Sequence, residues 1–163
     1  MTPDVQTIAK DRMRYTKDKF SSMLAILAIV FDCLFFVSIY QSDVGTFYYN
    51  WLIGVSIVYN LIFLLAAFLA SESVKNRKTG YSGVLIILGV LQVVRIFILP
   101  AKAHAATALV NGVEVAVMGD KQYLYCVACL LISAACCIVA AVVSAKNNNV
   151  LADYMKTIEN KAA

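Results

Sequence analysis

A single histidine, two prolines and one tryptophan occur in 163 residues, and only 15% of the side chains are charged. The lone histidine, His104, has no second ligand beside it in sequence, so neither a zinc site nor a histidine-based nucleophile–base pair is expected. It reads as a solvated loop residue. Paired catalytic carboxylates and a phosphate-binding loop are also missing, so the sequence points away from an enzyme and calls for no metal and no cofactor. Basic residues are not interleaved with aromatics as a nucleic-acid surface requires, and the net charge of +4 needs another origin.

What is present is apolar: 61% of the residues are hydrophobic. They gather in four blocks, Ser21–Tyr40, Trp51–Ala70, Tyr81–Leu99 and Tyr123–Ala145. Each is about 20 residues long, the length a helix needs to cross roughly 30 Å of hydrocarbon. Lipid offers the backbone no partner outside its own helix, so the expected fold is an all-α integral membrane protein, an antiparallel four-transmembrane-helix bundle in a single domain. The first block follows a long charged tail and lacks a small-x-small ending, so it is read as a span and not as a cleaved signal peptide.

Basic residues set the expected orientation. Eleven of the 14 fall on one side: Lys10, Arg12, Arg14, Lys17 and Lys19, then Lys75, Arg77 and Lys78, then Lys146, Lys156 and Lys161. The other side has only Lys102 and Lys121, with Arg95 inside a span. By the positive-inside rule both termini face the cytoplasm, and the expected location is the cytoplasmic (inner) membrane. Tyr48, Tyr49, Trp51, Tyr81, Tyr123 and Tyr125 stand at block ends, as amphipathic rings do at headgroup level.

The connecting segments carry their own signals. In the tail of residues 1–20, Thr2 as N-cap and Pro3 behind it predict a short cytoplasmic helix to about Lys17. In the tail of residues 146–163, Asn147–Asn149 are expected to break the helix. A second short helix then carries Val150, Leu151, Tyr154, Met155 and Ile158 on one face. The outer loop 100–122 contains two β-prone runs around Asn111-Gly112, which predicts a two-residue hairpin.

Depth within the spans reveals a polar layer. Asp32 lies eleven residues into the first block, Asn60 ten residues from the inner end of the second, Gln92 eleven into the third, and Ser133 twelve from the inner end of the fourth. All four sit roughly 15–18 Å from the inner boundary, with Arg95 one turn further out on the face of Gln92. A charge at that depth costs about 2.5–3.5 kcal/mol, so an acid there finds a cation, takes a proton or lines water. Three arrangements follow: an Asp32–Arg95 latch with the amides and Ser133 satisfying the leftover groups, an Asp32 ion or proton site, or an Arg95 that snorkels outward and leaves Asp32 protonated.

In the fourth block Cys126, Cys129, Ser133, Cys136 or Cys137, Ala140 and Ser144 share one face, a stripe of small residues suited to close helix packing. Cys126 and Cys129 also form a CxxC near the outer surface. In that spacing and in its helix count the chain resembles the quinone-reducing thiol oxidoreductases, and the resemblance implies a redox pair there. Members of that family relay electrons through a second, loop-borne cysteine pair, and both outer loops here lack cysteine.

The expected function is that of a small polytopic, non-catalytic accessory subunit, partnered by the bilayer and by another membrane protein or further copies of itself. The alternatives are a small ion- or proton-coupled transporter or channel using Asp32, and thiol–quinone chemistry at Cys126 and Cys129.

Overall fold

A computed structural model describes residues 5–40, 51–110 and 113–162. The cap at Thr2 and Pro3, the loop Gln41–Asn50 with Tyr48 and Tyr49, the turn residues Asn111 and Gly112, and the side chains of Trp51 and Lys161 lie outside the described residues. The chain forms α1 (Val5–Met13), α2 (Lys19–Tyr40), α3 (Trp51–Lys75), α4 (Tyr81–Ile98), α5 (Pro100–Ala105), β1 (Thr107–Val110), β2 (Val113–Ala116) and α6 (Asp120–Ala162). Four of these helices, α2, α3, α4 and α6, are long and apolar enough to cross a membrane. Their outward faces carry exposed Leu61, Ile62, Phe68, Ile87, Phe97 and Leu124, a surface that suits lipid and not water. The chain is a multi-pass helical membrane protein.

The four helices form a bundle in which α6 packs along both α2 and α4, and α3 packs against α2 and α4 from the other side. Three apolar layers fill it. Near the tails, Ala25, Ala70, Val74, Leu85, Ala140 and Ala141 meet; above them lie Ala28, Phe63, Ala67, Leu88 and Cys137. At the hairpin end Phe35, Ile39, Ile96, Leu99, Met118, Cys126 and Leu130 close the core. Alanine dominates the lower layers because association in lipid rests on close van der Waals approach.

Local chemistry sets the tail end. Asp18 precedes α2 and caps it: its carboxylate accepts from the Ser21 N–H at 3.2 Å and from the Ser21 hydroxyl at 2.9 Å. Its own N–H donates to the Lys75 carbonyl at 3.0 Å, tying the start of α2 to the end of α3. There α3 stops in a Schellman turn: Lys78 N–H reaches the Ser73 carbonyl, Arg77 N–H the Val74 carbonyl, and Arg77 takes φ 56°. Half a turn inside, the Ser22 and Ser71 hydroxyls meet at 2.9 Å, and Ser71 also reaches the Ser22 carbonyl at 3.1 Å. We expect Asp18→Ala to cost about 1–2 kcal/mol in an equilibrium unfolding measurement, as loss of a helix cap does. A loss below a few tenths would show that the cap contributes nothing.

Several boundaries differ from expectation. α1 ends at Met13, short of Lys17; α3 runs five residues past Ala70, to Lys75. The largest correction concerns Asn147–Asn149, which do not break the chain: α6 is one 43-residue helix, about 64 Å long. Asparagine lowers helix propensity only by about 0.7 kcal/mol per residue, and tertiary contact outweighs it. Here the Asn147 amide donates to the Asp18 carboxylate at 3.2 Å, so the residue locks α6 to the start of α2.

The loop at the other end is built as a hairpin. β1 and β2 pair antiparallel, Thr107 opposite Ala116 and Val110 opposite Val113, and the Val117 N–H extends the ladder to the Ala106 carbonyl at 3.0 Å. An isolated hairpin is marginal in water. This one is anchored by fully buried Met118 and by Ala103 of α5, both in the core layer below. His104 is bonded, not merely solvated: its Nε2 lies 3.0 Å from Asp120 Oδ1, and its ring stacks on Tyr123 at 4.5 Å.

Candidate functional site

Asp32, Gln92 and Arg95 meet in the centre of the bundle. Asp32 comes from the face of α2 that also buries Ala25, Ala28, Phe35 and Ile39, a helical spacing that turns it into the bundle. Gln92 and Arg95, three residues apart, project together from α4. The Arg95 Nη1 donates to Asp32 Oδ1 at 2.9 Å, and Gln92 Nε2 donates to the same oxygen at 2.8 Å. Relative exposures of 1% for Asp32, 0% for Gln92 and 5% for Arg95 leave the three side chains almost wholly buried. Arg95 therefore turns inward and does not snorkel.

Two rings pack against the guanidinium. Its carbon lies 4.5 Å from the Phe35 ring centroid and 4.8 Å from that of Tyr59, so Arg95 is sandwiched between α2 and α3 while its charge meets Asp32. Each desolvated cation–π contact contributes about 2 kcal/mol. Neither aromatic was selected from the sequence; Phe35 stands three residues from Asp32, and that i, i+3 spacing was the available signal.

The other two members of the layer stay apart from the pair. Ser133 donates to the Ala28 carbonyl of α2 at 2.9 Å, because its short side chain reaches only the facing backbone. Asn60 is buried on α3, yet both atoms of its amide have no hydrogen-bond partner among the described residues. Gln92 Oε1, Arg95 Nη2 and the hydroxyls of Tyr40 and Tyr59 are unpaired in the same way. Replacing Ser133 by alanine should cost about 0.6 kcal/mol, the average for an interhelical hydrogen bond in lipid, as read by unfolding in mixed micelles. A loss beyond about 2 kcal/mol would mean that Ser133 belongs to the ion-pair network after all.

Two cavities flank the half of α3 nearer the hairpin, where no residue from Gly54 to Tyr59 is buried. One, of about 240 Å³, lies between α2 and α3; Asp32 and Asn60 border it, and Phe36, Val37, Ile57 and Leu61 wall it. The second, of about 130 Å³, lies between α3 and α4 and is bordered by Tyr59 and Arg95.

The cysteines are free thiols. Cys126 and Cys129 are buried in the core layer at the hairpin end, where the Cys126 Sγ lies 3.6 Å from the Ser38 hydroxyl. Cys137, rather than Cys136, occupies the buried position on the small-residue face. Among the described residues no three His, Cys, Asp or Glu side chains gather as metal ligands.

The site defines a class: a multi-pass helical membrane protein whose core is crossed by a buried, neutral ion pair. No protein-family model matches the chain, and no curated protein or solved structure is similar to it at a significant level.

Proposed function

We propose that this protein is a non-catalytic membrane subunit: an antiparallel four-helix bundle, both termini cytoplasmic, whose faces and ends bind a larger assembly. The observation that carries the reading is the Asp32–Arg95 pair, in which the one intramembrane carboxylate is consumed in joining α2 to α4. A buried acid already paired with a guanidinium has no free charge to offer a passing ion. The basic asymmetry supports the cytoplasmic orientation. Surfaces for partners are supplied by the anchored hairpin, by exposed α1, and by the part of α6 beyond Ser144, where Leu151, Tyr154 and Ile158 are half-buried and Met155 is exposed.

The test is extraction in mild detergent followed by affinity capture and mass spectrometry. A stoichiometric partner, lost when the hairpin or the end of α6 is altered but kept in the double variant Asp32→Leu/Arg95→Leu, which leaves neither charge unpaired, is the expected result. A clean monomer under those conditions would sink the proposal.

A second reading, ion- or proton-coupled transport through Asp32, draws on the cavity that Asp32 and Asn60 border. Flux into proteoliposomes that collapses in Asp32→Asn would favour it, and unchanged flux would remove Asp32 from any transport mechanism.

A further inference from the structure

At the tail end of the bundle an open groove of about 670 Å³ joins the segment before α2 to the turn after α3. Lys17, Lys19 and Arg77 line it with Asp18, Tyr15 and Phe20, and both lysines and both rings are exposed. Two hydrogen bonds bring the two segments together: the Asp18 N–H donates to the Lys75 carbonyl and Arg77 Nε to the Thr16 carbonyl, each at 3.0 Å.

The charge of the groove is one-sided. Its three cations stand against a single carboxylate, and that carboxylate is already engaged. Asp18 Oδ1 accepts from the Ser21 N–H at 3.2 Å, while Oδ2 accepts from the Ser21 hydroxyl at 2.9 Å and the Asn147 amide at 3.2 Å. The neighbouring acids Asp11 and Glu72 pair with Arg14 and Lys75, outside the lining. Among the described residues no carboxylate pairs with Lys17, Lys19 or Arg77.

Depth and an apolar track select the partner. α2 has 22 residues, about 33 Å, which matches roughly 30 Å of hydrocarbon. Lys19 therefore starts the helix at the membrane boundary, and the residues just before it stand at headgroup level. From Phe20 an exposed apolar line continues along α2 through Met23 and Leu27, three and then four residues on, so it leads from the groove into the hydrocarbon. A lipid phosphate in the groove with an acyl chain along that line uses both features, whereas an acidic protein segment would use only the cations. A zwitterionic lipid brings a cation of its own into an already positive groove; an anionic lipid brings the phosphate alone.

We propose that this groove binds the phosphate of an anionic phospholipid, with Lys17, Lys19 and Arg77 as its cationic partners and Phe20, Met23 and Leu27 as the track for one acyl chain. The inference needs only that the chain spans a bilayer and is independent of the subunit reading.

The experiment uses the full chain in nanodiscs of phosphatidylcholine and phosphatidylglycerol, with the acyl chains of one lipid or the other brominated to quench tryptophan on contact. A Phe20→Trp/Trp51→Phe protein reads the lipid beside the groove. The wild-type chain, whose one tryptophan is Trp51 at the start of α3, reads the other end. Phosphatidylglycerol should be preferred about fivefold or more beside the groove and not at Trp51. Lys17→Gln/Lys19→Gln should abolish that preference, while Lys10→Gln/Lys156→Gln, the same charge change outside the groove, should leave it intact. Equal quenching by the two lipids beside the groove, or an equal preference at Trp51, would overturn the proposal. So would equal losses in the two lysine variants, which would mean a diffuse surface potential. A second measurement needs no reporter: phosphatidylglycerol added to the wild-type chain in mixed micelles should raise its unfolding midpoint, and Lys17→Gln/Lys19→Gln should remove the rise. No rise would overturn the proposal, and an equal rise with inorganic phosphate at matched ionic strength would make the groove a soluble-phosphate site instead. A protein partner lost in Lys17→Gln/Lys19→Gln without any lipid preference would assign the groove to an acidic protein segment.

Discussion

Arg95→Leu is expected to destabilise the protein by about 3–5 kcal/mol, while the double variant Asp32→Leu/Arg95→Leu stays near wild type or exceeds it. The asymmetry follows from what each change leaves behind. Removing the guanidinium strands a carboxylate at 1% exposure, held only by the Gln92 amide at 2.8 Å, and leaves the faces of Phe35 and Tyr59 without their cation. Removing both charges leaves no buried ion to desolvate, and the remaining debt is the neutral Gln92 amide, which loses its acceptor. Equilibrium unfolding in mixed micelles, run as a double-mutant cycle, measures the coupling directly. A single-variant loss under about 1 kcal/mol would mean that the pair holds nothing together. A double variant that folds yet no longer captures a partner would show that the ion pair does more than join helices.

Gly89→Leu is the second large effect, expected at about 3 kcal/mol, the upper end of overpacking costs. A β-carbon at Gly89 would stand 2.8 Å from Ile138 Cγ1, 3.2 Å from the Ala134 carbonyl oxygen and 3.4 Å from Cys137 Cβ. The isoleucine can rotate away, but the carbonyl belongs to the backbone of α6 and cannot. Gly89→Ala should therefore cost less than Gly89→Leu, and Gly83→Ala should cost little because nothing stands within 4 Å of its β-position. The same unfolding assay ranks the three, and a Gly89→Leu protein as stable as wild type would show that α4 and α6 are free to separate there.

Much of this architecture was legible beforehand. The bilayer imposes a length of about 20 apolar residues on any helix that crosses it, so four such runs announce four spans. The hairpin was legible because Asn111-Gly112 between β-prone residues has few other uses. Counting depth also brought Asp32 and Gln92 to one level, with Arg95 one turn further out on the face of Gln92, since rise per residue is constant in a helix.

Partner choice was not legible. Depth put Asn60 and Ser133 in the same layer, but azimuth, which depends on how helices pack, sent Ser133 to a backbone carbonyl and left the Asn60 amide unpaired. Gly89 carried no signal among the glycines because its role exists only where Ala134 of another helix approaches it. Asn147–Asn149 misled because propensity is a local quantity, whereas the hydrogen bond from Asn147 to Asp18 joins residues 129 positions apart.

Composition and periodicity thus determined by themselves that the chain belongs in a membrane and how many of its helices are long and apolar enough to cross it. Only the tertiary structure decided that Arg95 turns inward to Asp32, that Phe35 and Tyr59 clamp it, and that α6 continues unbroken. The physical reason is one of range: hydrocarbon thickness acts on each helix separately, while a buried ion pair or a close helix contact exists only once two helices have met.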